Sequence, residues 1–339
     1  MSRRTNLDIA VPPDEALGEI AYPDEAALAQ EMADAITAFV RERDGAGPYR
    51  RDVHPKAHGA VHATLTVADD LPPAWRTDVF RPRANYAAWV RFSNSSPKPR
   101  SDQRLDARGM AVKVLGPKGP RLRSDPEFPT ACDFIAINYP RFFIADPRDY
   151  LTFIRRGLST HWWERLAAPL ALGVKGAAIA TAAAGQPLLP LHRTQFWSTV
   201  PYAWGIGPAR RAVKYTFRPV SPLDELPLGG GEHALRDALQ EVLAYEPIVF
   251  ELAVQARSGE AQPVEDPTVL WDEADAPFVP VARLTLEPQE FSTAERDALA
   301  ERLAFNPWHC SAEHRPLGAI NRLRLAVYAQ MAALRASGR

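Results

Sequence analysis

Seven short β-prone runs constrain this chain's fold more than any other feature: residues 62–67, 86–92, 109–115, 133–138, 212–219, 248–256 and 281–286. Each is rich in β-branched or aromatic residues and bounded by turn formers, and residues 197–204 fit an eighth. Many short strands without a repeat point to a closed or nearly closed antiparallel barrel. Helical patterns interrupt and flank them. Pro23-Asp24 introduces an amphipathic run over 25–43 that stops at Asp-Gly-Ala-Gly-Pro. A helical insertion spans about 147–184, a Pro- and Trp-containing segment crosses at 305–316, and a final helix covers 320–334. The expected class is α+β, an antiparallel eight-stranded β-barrel with a helical insertion and a C-terminal helix. Residues 1–47 read as an N-terminal arm and helix, a lid or oligomer arm that leaves room for a homodimer, and 48–339 read as one barrel domain.

Composition narrows the function classes. A formal net charge of −1 argues against a sequence-independent nucleic-acid binder, which needs a net basic face. Cys132 and Cys310 are the only cysteines, too few for a disulfide framework, and read as reduced, buried thiols of a cytoplasmic protein. The first residues carry charge without a signal-length apolar run, so secretion is not expected. The most apolar stretch, 166–191, is broken by Pro169, Lys175, Pro187 and Pro190. It reads as a buried or channel-lining helix without stable membrane insertion, contact with a membrane surface or a lipid-like substrate being the lesser alternative.

Four clusters carry chemistry. In RRDVHPKAHGAVHATLTV, residues 50–67, a histidine just before a strand can be aimed into a barrel. On a helix, His54, His58 and His62 would share a face and suggest zinc or iron, but Pro55 and Gly59 argue for an irregular lead-in to a strand. Surface or capping roles remain open for all three. Arg91 and Ser93 lie two apart on a strand and share a face; a buried Arg91 implies a ligand anion or an internal partner such as an aspartate near 102–106. Asn138 ends an apolar strand, where its amide must find a hydrogen bond, or it is only a turn residue before Tyr139-Pro140. On the last helix Arg324 precedes Tyr328 by one turn and Arg335 follows seven residues on. A tyrosinate there would need a cation or metal, and Arg324 supplies part of that field.

Taken in order, these segments resemble the catalase superfamily from about Arg51 to Arg335. The matching segments are Val53-His54-Pro-Lys with Gly59, Val-Arg91-Phe-Ser93, Asp106-x-Arg108-Gly-x-Ala-Val-Lys113, Asn138-Tyr-Pro-x-Phe-Phe-Ile-x-Asp146 and Arg324-x-x-x-Tyr328 with Arg335. The resemblance implies haem b, with Tyr328 as axial iron ligand and Arg324 stabilising its anion. It implies that His54 moves a proton between the oxygens of a peroxide, that Asn138 orients the peroxide, and that Ser93 holds the other nitrogen of His54. Arg51, Arg91 and Arg335 match the family's haem-propionate ligands.

The pattern also departs from the family's. A minimal member without the family's C-terminal helical domain is expected, Gln330 and Met331 replace the usual acidic and hydroxyl residues, and Ala57-His58 replaces small residues beside the distal histidine. The short members most resembled are catalase-related peroxidases and fatty-acid allene oxide synthases. The expectation is a haem peroxidase reducing hydrogen peroxide or organic hydroperoxides with a small organic electron donor and weak catalase activity. A lipid-hydroperoxide isomerase and a non-catalytic haem carrier are the alternatives.

Overall fold

The structure is a computed structural model that describes residues 11–221 and 228–338, so the first ten residues of the expected arm lie outside it. The strands are β1 (Ala57–Val67), β2 (Asn85–Asn94), β3 (Arg108–Val114), β4 (Cys132–Ile137), β5 (Phe196–Trp197), β6 (Tyr202–Trp204), β7 (Arg211–Pro219), β8 (Ile248–Ala256) and β9 (Phe278–Leu286). They hydrogen-bond in the order β5-β4-β3-β2-β1-β9-β8-β7, and β5 then pairs with β7, closing an antiparallel barrel of eight. The expected eighth strand is therefore real but divided. Phe196 and Trp197 face Phe217 and Thr216, whereas Tyr202–Trp204 pair with the opposite end of β7, at Val213–Arg211. Between the two pieces Thr199 takes a φ of 56° and Pro201 follows, a conformation that no continuous strand tolerates.

The barrel interior is filled. Phe92 of β2, Phe196 of β5 and Phe250 of β8 meet across it with ring centroids 5.8–6.4 Å apart. Successive strand residues face opposite sides, so with Phe92 inward, Arg91 and Ser93 point to the outer wall. Any site built on them lies outside the barrel and needs a cover.

Helices provide it: α1 (Glu25–Asp44), α2 (Pro147–Leu158), α3 (Trp162–Ala167), α4 (Gly173–Ala184), α5 (Ala234–Leu243), α6 (Ala294–Arg302) and α7 (Ala319–Ser337). Apolar residues of α1 at four-residue spacing (Leu28, Met32, Ile36, Val40) pack on Leu323, Val327, Met331 and Leu334 of α7, with Leu151 of α2 beside them. The start of α7 is pinned electrostatically. Glu19 and Glu265 accept hydrogen bonds from the Gly318 and Ala319 amides at 2.7 and 2.8 Å, where negative charge complements a helix N-terminus. Arg322 ties the same turn to Glu19, to Glu25 at 2.6 Å and to Glu265.

The apolar insertion differs from expectation. It forms α3, a 3-10 turn over Ala168–Leu172 and α4, and only its inner side packs on the protein: Ile179 and Ala183 rest on Tyr139. Its outer side, which begins at Trp162 and Trp163, is exposed rather than buried or lining a channel.

Candidate active site

His54 stands three residues before β1 with a φ of 60°, a left-handed conformation uncommon for a non-glycine residue and a form of strain that clusters at functional sites. Its backbone is held from both sides. Its amide donates to the Ser95 carbonyl at 3.3 Å, and Arg91 Nη2 donates to its carbonyl at 2.9 Å. Its Nδ1 lies 2.9 Å from Ser93 Oγ. In the tautomer that donates Nδ1–H to Ser93, Nε2 is left as the acceptor. The histidine thus lies on the outer wall, not inside the barrel as its position before a strand suggests.

Glycine makes room for it. Gly109 pairs with Ser93 across β2–β3 and with Ile137 across β3–β4. A Cβ there would lie 2.7 Å from His54 Cε1 and 2.8 Å from Nδ1, so the imidazole sits directly on the bare backbone. The same register brings in Asn138, one residue beyond Ile137. Its Oδ1 accepts from the Arg108 amide at 2.7 Å, fixing the side chain. The hydrogen bond expected of a buried Asn138 amide is there.

The arginines converge on a feature the sequence did not reveal, the C-terminal end of α6. Arg91 Nε donates to the Ala300 carbonyl at 3.3 Å, Arg335 Nη1 to the Glu301 carbonyl at 2.9 Å, and Arg51 Nη2 to the Leu303 carbonyl at 2.5 Å. The Glu301 carboxylate lies 3.4 Å from Arg51 and 3.8 Å from Arg91. The internal partner of Arg91 is thus Glu301, not an aspartate of 102–106; Asp102 instead pairs with Lys56 at 2.8 Å. Burial, together with the charges of Arg91 and Arg335, lowers the Arg51 pKa well below its usual value. Burial lowers that of Arg91 to about 10. Crowded guanidiniums of this kind favour an additional anion. A cavity of about 500 Å³ opens at this end, lined in part by Tyr49, Arg50, Glu301 and Arg335.

Tyr328 and Arg324 lie on α7, one turn apart as expected. Tyr328, Tyr150, Arg51 and His54 are each half-buried. Arg324 acts on two of them, since its charge lowers the pKa of Tyr328 and of His54. Burial outweighs it at Tyr328, whose phenol is raised overall and stays protonated at neutral pH unless a metal displaces the proton. Burial, then Arg91, lowers His54 to about 4, so its imidazole is neutral across the physiological range.

The three-histidine metal alternative dissolves. His58 is buried against Asn94 Oδ1 at 2.7 Å, and His62 sits along β1 against the Trp89 ring. No group of three or more His, Cys, Asp or Glu side chains among the described residues could hold a metal ion. Cys132 and Cys310 are free and buried, as expected.

Comparison with known proteins bears on the fold. The catalase family model matches residues 25–160, which include α1, His54, Arg91, Ser93, Gly109 and Asn138. Similar solved structures include a bacterial catalase (19% identity, TM-score 0.65, covering 95% of this chain and 64% of that one). A fungal catalase matches at 19% identity and TM-score 0.67 over 98% of this chain and 66% of its own. Catalase A from Saccharomyces cerevisiae matches at 18% identity and TM-score 0.65 over 98% and 68%. The chain has the fold of these catalases. It spans about two thirds of the length of the catalases it matches. No curated protein matches the sequence.

Sequence reasoning overlooked two parts of this site. Gly109 left a signal, a lone glycine within a strand, which marks close approach of another group. The α6 terminus left almost none, because its residues are charged around the helix and bury little beyond Ala300.

Proposed function

We propose that this chain is a haem-dependent peroxidase that reduces hydrogen peroxide or organic hydroperoxides with a small organic electron donor and retains weak catalase activity, working in the cytoplasm. The residues present fit haem b. Tyr328 would hold the iron, Arg324 would favour its phenolate, and Arg51, Arg91 and Arg335 would take the propionates. Bound haem would supply the electron chemistry by which the peroxide O–O bond is cleaved.

The chain's own residues handle protons and position. His54 Nε2, neutral because burial and Arg91 depress its pKa to about 4, accepts the proton from one peroxide oxygen and returns it to the leaving one. Ser93 holds the ring in the tautomer this requires, and the Asn138 amide donates to the peroxide. Over the full cycle the donor supplies two electrons and two protons, yielding an alcohol, or water from hydrogen peroxide, plus one water. The observation that carries the reading is the 2.9 Å contact between His54 and Ser93, seated on Gly109.

The test is steady-state peroxide reduction by haem-loaded protein, wild type against His54→Ala. Peroxidase chemistry should fall by roughly 10²-fold or more on losing a general acid and base. A haem carrier without turnover would lose nothing. A second reading, isomerisation of a lipid hydroperoxide without reductant, gains support from the exposed apolar outer side of the helices lying over Tyr139, next to Asn138. Mass spectrometry of products formed without a donor separates the two.

A further inference from the structure

The outer side of α3–α4 is the largest feature that the catalytic reading leaves unused. Trp162, Leu166, Leu170 and Val174, four residues apart, are 62, 70, 77 and 92% exposed, and Trp163 beside them is 54% exposed. Contiguous large apolar side chains in water mark a surface built to be covered. The surrounding charge says by what. Residues 151–195 hold five lysines and arginines against one acid, Glu164, in a chain whose net charge is −1. Arg165 and Lys175 flank the apolar line and are exposed, while Arg155 reaches Glu31 at 2.7 Å and Lys175 lies 3.5 Å from Asp266. Paired tryptophans beside cations suit a lipid interface, where the indole bodies enter the acyl boundary and the cations meet headgroups.

Two further observations choose among occupants. The 23 residues Trp162–Ala184 are long and apolar enough to cross a membrane, but Gly173, at a φ of 60°, breaks them into separate helices. The inner side of α4 is also locked down: a Cβ on Gly176 would lie 2.4 Å from the Phe143 carbonyl oxygen, and Ile179 and Ala183 pack on Tyr139. The segment can lie on a bilayer but not leave the protein to span one. A second copy seated symmetrically would oppose the same cations across the contact, a repulsion that an anionic surface converts to attraction.

We propose that α3, the turn after it and the start of α4 form a peripheral docking surface for an anionic lipid bilayer, with Trp162 and Trp163 at the headgroup boundary. The proposal does not depend on haem or on peroxidase activity. Because α4 rests on Tyr139, docking places the outer wall that carries Asn138 near the lipid.

The test is co-sedimentation of the full chain with phosphatidylcholine vesicles with and without phosphatidylglycerol, read together with tryptophan emission. Wild type should sediment with the anionic vesicles, shift its emission to the blue, and be released by high salt. Trp162→Ala with Trp163→Ala should lower the partition coefficient by about tenfold or more per side chain, and Arg165→Glu should weaken only the anionic component. Circular dichroism verifies that these surface variants stay folded. Tyr245→Ala, at an exposed residue outside this surface, should change nothing. Three results would overturn the proposal: no sedimentation of wild type with either vesicle, equal weakening by Tyr245→Ala, or a wild-type dimer in light scattering that the tryptophan variants dissociate while vesicles bind neither.

Discussion

Replacing Gly109 by alanine adds one carbon where the structure has no room for it. The new Cβ would lie 2.7 and 2.8 Å from His54 Cε1 and Nδ1 and 3.0 Å from Ser93 Oγ, against the ~3.5–4.0 Å at which carbon contacts are favourable. The ring must retreat by roughly 1 Å. The backbone cannot follow, because the Ser95 carbonyl and the Arg91 guanidinium hold both sides of His54, and β3 is fixed between β2 and β4. The side chain must therefore rotate, and a 2.9 Å hydrogen bond to Ser93 stretched by that amount is lost. Overpacking should cost about 1–3 kcal/mol of stability in guanidinium melts. Peroxide turnover should fall by about 10²-fold, approaching His54→Ala, with haem content by visible absorbance unchanged. Ser93→Ala, which removes the hydrogen bond without the clash, should fall in between. Wild-type turnover in Gly109→Ala would refute the cradle, and so would a turnover loss that merely tracks loss of haem.

Other outcomes follow from buried charge. Lys113 is fully buried between Asp125 at 2.9 Å and Asp133 at 2.8 Å, so Lys113→Met should destabilise by about 3–5 kcal/mol in denaturant melts by stranding two carboxylates. Buried His314 has no hydrogen-bond partner among the described residues at either ring nitrogen and is held at about 4 by desolvation, below the 6.5 of an unfolded histidine. The unfolded chain therefore takes up a proton first as pH falls, and stability is lost from about 6.5 down to about 4, by at most about 3 kcal/mol. His314→Phe should flatten that limb in melts run from pH 7 to 4. Arg91→Met should weaken haem retention about ten- to a hundredfold in transfer to apomyoglobin, the worth of a charge-assisted hydrogen bond.

The strands were legible because alternation and turn residues are local signals, and because paired strands must meet both. The break at Thr199 was not, since a positive φ at a non-glycine residue leaves no mark in composition. Polarity two residues apart placed Arg91 and Ser93 on one face, but only the closed barrel with Phe92 inside decides that this face is outward. For the same reason His54 could be read as strand-leading but not as lying on the outer wall. The arginines announced an anion site, while the α6 carbonyls that hold them in place are main-chain groups that no side-chain pattern encodes. The apolar insertion was recognised by composition and misplaced, because composition does not say which side of a helix finds a partner.

The proposed function turns on Tyr328 holding a haem iron. The most direct test is the visible spectrum of protein expressed with a haem precursor, wild type beside Tyr328→Phe. A high-spin ferric haem spectrum in the wild type, lost or altered in the variant, is the expected result. A wild type that takes up no haem, or a variant with an unchanged haem spectrum, would contradict the account.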